Sequence, residues 1–196
     1  ESLTQASQAA HSGDVIYVTK SSLANGSLGV ISNNDVSIYI ANSDLTDGDI
    51  TPNMSISPSL VGGTVVKVYG SHAFNLIGSA GNDTIHDYTV IGAGKTNSIS
   101  GGDGNDSLVA HNNVMGSVIL HGNAGSDTLI GGDGAQLYGD DGADILLSLT
   151  GSAALYGGAG NDVLLNAYAS SNSSAKAVSM SGGAGNDTFG LIGTNN

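Results

Sequence analysis

Apolar residues recur in this 196-residue chain in two linked columns. Leu76, Ile99, Leu120, Leu137, Leu155 and Met180 each stand two positions before a glycine. Each is followed nine positions later by a second apolar residue: Ile85, Leu108, Leu129, Leu146, Leu164 and Phe189. If one short strand enters a turn and another leaves it, the two columns stack as internal ladders of a wound ribbon. Before residue 78 the runs Val15–Thr19, Val36–Ile40 and 64–69 (TVVKVY) alternate β-branched or aromatic residues with polar ones and read as further strands. The long stretch between the last two, 41–63, holds Asp44, Asp47, Asp49 and both prolines and reads as a solvated acidic loop. Leu3, Ala6, Ala9 and Ala10 have helical spacing, and Gly13-Asp14 then turns the chain into Val15.

Between the two apolar columns lies Gly-x-x-Gly-x-Asp, at residues 78–83, 101–106, 122–127, 139–144, 157–162 and 182–187. Chance would supply this core roughly 0.4 times at this composition. Six copies therefore make a repeat, and a repeat makes a solenoid. Successive aspartates are 23, 21, 17, 18 and 25 residues apart. The extra residues of the longer steps are expected on the side opposite the glycines, where the motif decays into 92–97 (GAGKTN), 111–116 (HNNVMG) and 166–176. A better-preserved opposite turn is 131–136 (GGDGAQ), with Gln136 where an Asp would stand.

The best copies, GGDGNDSLV (101–109), GGAGNDVLL (157–165) and GGAGNDTFG (182–190), resemble the calcium-binding nonapeptide G-G-x-G-x-D-x-U-x of the RTX, or hemolysin-type, family. The resemblance covers residues 78 to 190 and implies an all-β fold, a parallel β-helix or β-roll solenoid. The first residues are similar to the short helix that caps right-handed parallel β-helices. The expected division is 1–77, a capping helix and calcium-poor coils, and 78–196, calcium-binding coils of the same continuous solenoid.

The resemblance also implies a ligand set for several Ca²⁺ ions. Asp83, Asp106, Asp127, Asp144, Asp162 and Asp187 would supply carboxylates. Backbone carbonyls would come from the glycine segments of Gly78 and Gly81, Gly101 and Gly104, Gly122 and Gly125, Gly139 and Gly142, Gly157 and Gly160, and Gly182 and Gly185. The chemistry is apt, because a hard cation takes six to eight oxygens and glycine lets a tight bend turn several carbonyls inward. Three copies depart from the pattern at the second position, with Ser79, Asn123 and Asp140, where strain or weaker binding is expected. One continuous ion row is expected, with at most five gaps between six turns.

Charge narrows the function. Acids outnumber bases 17 to 4, the net charge is −13, all bases are lysines, and all acids but Glu1 are aspartates. Such a chain is repelled by nucleic acid and by anionic lipid, and no apolar run is long enough to cross a bilayer. Arg, Trp and Cys are absent and Phe numbers two, a poor inventory for polysaccharide chemistry. His11, His72, His86, His111 and His121 are scattered and form no nucleophile triad, so no enzyme is expected. Asn82, Asn105, Asn161 and Asn186 form a partial column, but the third positions lack the regular threonines of an ice-binding face. Tyr138 and Tyr156 precede successive glycine turns and read as stacked packing.

What remains is a calcium-rigidified extracellular building block whose ends differ, expected to associate with itself into a surface layer, fibre or adhesin rod, with a polysaccharide or cell surface as a further partner. The alternative is a passive module of a larger secreted enzyme or adhesin. The chain opens at Glu1 and shows no recognisable C-terminal secretion tail, which suggests a trimmed product, a fragment or a differently exported relative.

Overall fold

The computed structural model describes residues 3–11, 13–18, 27–31, 36–40, 53–56, 64–71, 73–111, 116–150, 152–167 and 178–192. A helix, α1 (Leu3–Ala9), lies beside the first strands, with Ala6 and Ala10 against the core. There follow β1 (Val15–Val18), β2 (Ser27–Ile31), β3 (Val36–Ile40), β4 (Asn53–Ile56), β5 (Val65–Gly70), β6 (Asn75–Ile77), β7 (Thr84–Asp87) and β8 (Thr96–Asp103). The remainder are β9 (Ser107–Ala110), β10 (Ser117–Ala124), β11 (Thr128–Gly131), β12 (Gln136–Asp141), β13 (Ile145–Ser148), β14 (Ala154–Ala159), β15 (Val163–Asn166), β16 (Ser179–Ala184) and β17 (Thr188–Leu191).

Odd-numbered strands pair in chain order in one parallel sheet, and even-numbered strands pair in order in a second. Each coil is thus one strand of either sheet, and the chain is an all-β solenoid. Side chains alternate in and out along every strand, so only one or two per strand reach the interior. The two apolar columns meet there. Leu76, Ile99, Leu120, Leu137 and Leu155 stack in register, as do Ile85, Leu108, Leu129, Leu146 and Leu164, and none of the ten is more than 1 % exposed. Ile16, Ile31, Ile38, Met54, Val66 and Val68 extend the core through the earlier coils. Phe189 holds its register against Leu164 but is 51 % exposed, because no described coil lies beyond it.

One expectation changes. The stretch 41–63 is not all loop, since Asn53–Ile56 forms β4 and pairs with β2 and β6. Strand β2, SLGVI, is a further strand without a strong pattern of its own, because a glycine interrupts its short apolar run. Both are held by parallel neighbours rather than by their own propensity. Residues 41–52 and 57–63, and most of the decayed segments 111–116 and 166–176, lie outside the described residues.

Among the later coils, length varies on one edge only. From β8 onward three residues join each even strand to the next odd one, whereas the return from odd to even strand differs from coil to coil. That return edge contains a buried polar network with no counterpart in the repeat. Asp87 Oδ1 accepts from the Thr89 N–H and hydroxyl at 2.8 and 2.7 Å, and its Oδ2 accepts from Asn97 Nδ2 at 2.6 Å. Asn97 Oδ1 accepts the Phe74 N–H at 3.1 Å, tying one coil to the next. All three side chains are buried and mutually satisfied, as burial of a carboxylate requires.

The thin core makes each inward leucine costly to lose. Leu137→Ala is expected to destabilise the calcium-loaded chain by about 2–5 kcal/mol, with Leu120→Ala similar. Urea unfolding followed by circular dichroism measures it, and a loss below 1 kcal/mol would show that the ladder is not the core.

Candidate metal centre

The constant edge is the glycine edge, and it gathers the six aspartates into one column. Each carboxylate reaches back across the gap between coils. Asp106 Oδ1 accepts the Asp83 N–H at 2.7 Å, Asp127 that of Asp106 at 2.7 Å, Asp144 that of Asp127 at 2.8 Å, Asp162 that of Asp144 at 2.9 Å and Asp187 that of Asp162 at 3.1 Å. Asp83 does the same for Thr64 at 2.8 Å. Asp83, Asp106, Asp127, Asp144 and Asp162 are at most 2 % exposed, and Asp187 is partly exposed.

One oxygen of each carboxylate is spent in this ladder. The other, Oδ2, is buried without a hydrogen-bond partner in Asp106, Asp127, Asp144 and Asp162. Beside it stands the first glycine of the same copy. A methyl group built on Gly122 would overlap both Asp127 Oδ2 and the carbonyl oxygen of Gly139 in the next coil. Gly139 and Gly157 meet the corresponding pair of oxygens, Gly101 stands closer still to Asp106 Oδ2 but further from the Gly122 carbonyl, and Gly182 meets Asp187 Oδ2. A bare carboxylate oxygen and a carbonyl oxygen therefore face the same space with no donor between them.

Further carbonyls line these gaps. The fourth glycines Gly104, Gly125, Gly142, Gly160 and Gly185 have φ from 108° to 140°, and a methyl on Gly142 would overlap the carbonyl oxygen of Gly125. Only glycine allows both that torsion and that approach. The second position is also left-handed, including Asn123 (φ 74°) and Asp140 (φ 71°), side chains that tolerate the region. Each is anchored: Asn123 Oδ1 accepts from the Ser100 hydroxyl, and Asp140 Oδ2 lies 2.9 Å from His121 Nδ1. Neighbouring copies thus keep the bend without a glycine there.

The first copy is different. Neither Ser79 nor Gly81 has a positive φ, and Asp83 Oδ2 accepts from the Ser79 N–H and hydroxyl at 2.7 and 2.9 Å. Gly78 approaches the Gly101 carbonyl and Asp83 Oδ2, but serine protons already satisfy that carboxylate. The serine was visible in the sequence; that it takes over the ligand's place follows only from the fold. The asparagine column also has a role beyond its exposure, since Asn82 Oδ1 accepts the Asn105 N–H, Asn105 Oδ1 the Ser126 N–H and Asn161 Oδ1 the Asn186 N–H, each at 2.8 Å.

Burial, reinforced by neighbouring carboxylates, pushes these acids up against the opposing pull of the backbone N–H bonds. Asp106 rises to about 7, with burial first and Asp127, Asp83 and Asp103 adding; Asp144 rises to about 6 by burial, then Asp127, Asp162 and Asp140. Asp127 and Asp162 are raised for the same leading reason. The residues fit a cation, with bare buried carboxylate oxygens, carbonyls facing the same gaps and, among the described residues, no positive side chain paired with them. Among the described residues no three His, Asp or Glu side chains converge. Each gap therefore offers mostly backbone oxygen, the donor set of a hard, high-coordination ion such as Ca²⁺ rather than a transition metal.

The signs fix a pH test. A carboxyl whose folded pKa is raised stabilises the fold below its unfolded value near 4, and that contribution is lost as pH rises through 6 to 7. Metal-free chain should therefore melt higher at pH 5 than at pH 8, and excess Ca²⁺ should reverse the order, because it favours the ionised form. Thermal melts at both pH values, with chelator and with Ca²⁺, check this; equal melting in chelator would refute the strained column.

A family model for the RTX calcium-binding nonapeptide repeat (four copies) matches residues 75–88, 89–112, 116–135, 138–165 and 174–189, just over half of the chain. No curated protein and no solved structure gave a match. With the same residues forming the glycine edge and its aspartate column, the chain belongs to the RTX calcium-binding nonapeptide repeat family, whose repeats bind Ca²⁺ at multiple sites.

Proposed function

We propose that this chain is a calcium-dependent extracellular structural protein, which folds as it binds Ca²⁺ and then serves as a stiff element that assembles with further copies of itself into a layer, fibre or adhesin rod. The observation that carries the reading is the row of bare Oδ2 atoms on Asp106, Asp127, Asp144 and Asp162. Four buried carboxylate oxygens without partners leave the fold electrostatically incomplete, and Ca²⁺ bound beside them would supply the missing charge. The ligand set is these four aspartates with Asp187 and their glycine segments, and Asp83 contributes through the ladder. RTX repeat proteins are typically secreted, and millimolar calcium outside cells suits sites that must fill after export. The coils before residue 78 lack the motif and form the calcium-poor part of the same rod.

Self-association draws support from the last described strand. Phe189, Leu191 and Ile192 are 51, 77 and 53 % exposed, an apolar edge that another coil would cover. A second copy can provide that coil, and so can further chain, which keeps the passive-module reading alive. Electron microscopy with calcium separates them: ordered filaments or sheets that vanish on chelation support the building block, and dispersed particles support the module.

At pH 8, where the column is ionised, chelation is expected to abolish the β-sheet circular dichroism of 78–190, and Asp144→Asn to weaken calcium binding by about tenfold or more, read by calorimetric titration. An unchanged spectrum in excess EDTA would sink the folding switch.

A further inference from the structure

Away from the glycine edge, the outer face of the odd-numbered sheet carries a second cluster of titratable side chains. β7 and β9 pair with His86 opposite Val109 and Asp87 opposite Ala110, and the His111 N–H donates to the Asp87 carbonyl at 2.8 Å, which carries the register past the strand end. His111 is thereby set over Tyr88, ring on ring, at 4.3 Å and 5° between planes; Tyr88 in turn stacks on Tyr69 at 4.9 Å and 6°. The stack fixes the His111 ring. His86, two residues before Tyr88 on the same face, brings its Nδ1 to 3.0 Å from His111 Nε2. Both rings are partly exposed.

We propose that His86 and His111 form an open, two-imidazole site for a divalent transition metal, selective for Cu²⁺ over Zn²⁺ and independent of the calcium row. His86 Nδ1 and His111 Nε2 face each other at 3.0 Å with ring centroids 5.2 Å apart and 24° between planes, the arrangement of two imidazoles that share one proton. A divalent ion that displaces this proton takes up both nitrogens once the rings tilt apart, and Cu²⁺ binds such nitrogen donors more tightly than Zn²⁺. The remaining positions stay open to water or to an added ligand, since no third histidine or carboxylate joins the pair among the described residues. Lys67, in register with His86 on the preceding coil, is a positive charge that opposes a bound cation.

The test uses the full chain saturated with Ca²⁺ and titrated with CuCl₂, read by calorimetry and by electron paramagnetic resonance. One tight copper per chain with two-nitrogen coupling is expected, with Zn²⁺ binding more weakly. His86→Ala and His111→Phe should each weaken copper binding about tenfold or more; the phenyl ring keeps the stack on Tyr88 but offers no nitrogen. His11→Ala should change nothing, and Lys67→Gln should tighten binding several-fold. Copper binding unchanged in His111→Phe, coupling to fewer than two nitrogens, or Zn²⁺ binding as tightly as Cu²⁺ would overturn the site and leave the pair an ordinary N–H···N hydrogen bond. Calcium titrations of the same variants should be unaltered, so failure here is distinct from failure of the calcium reading.

Discussion

From Asp83 onward a carboxylate recurs on each coil along one edge, at the spacing of neighbouring strands, about 4.8 Å. Asp106, Asp127, Asp144 and Asp162 each hold a neighbour through one oxygen and leave the other buried and bare. The ladder makes the edge rigid, because every Oδ1 closes an N–H that would otherwise be orphaned. The bare oxygens make the edge unstable on its own, because burial and like charges both disfavour ionisation. The rest of the molecule follows from this conflict. A thin two-sheet core cannot absorb it, and no lysine among the described residues pairs with the column, so the fold depends on protons or on cations.

The two edges of the coil solve the problem of turning the chain differently. On the glycine edge the bend is fixed at three residues from β8 onward, with left-handed torsions and carbonyls lining the gaps between coils. On the return edge, lengths vary and polar groups are satisfied internally, as in the Asp87–Thr89–Asn97 network. Ser79 carries that second solution onto the glycine edge in the first copy, where its hydroxyl and N–H complete Asp83. The row of bare oxygens thus begins one coil later, at Asp106, where side-chain donors stop.

Outward positions obey a looser rule. Stacking at coil spacing brings like residues together, which places Tyr138 between His121 and Tyr156 on one sheet and Tyr88 between Tyr69 and His111 on the other. Such ladders stabilise through ring contact. They also bring histidines from different coils within bonding distance, something that no local spacing announces.

The repeat, the inward apolar columns and the aspartate column were legible in the chain because a solenoid turns sequence period directly into spatial stacking: Leu120 lies on Leu137 since each stands two residues before a glycine. The strands β2 and β4 were not, because their pairing comes from neighbours rather than from their own pattern. Nor was the fate of each aspartate, which depends on its surroundings in the adjacent coil: Ser79 saturates Asp83, whereas Asp127 keeps a bare oxygen. The amino-acid order by itself determined which residues turn and which point inward, since those are local properties of glycine, aspartate and leucine. Only the tertiary structure decided which oxygens lack partners and that His86 meets His111, because hydrogen bonds and ring contacts across a gap require two coils already laid together.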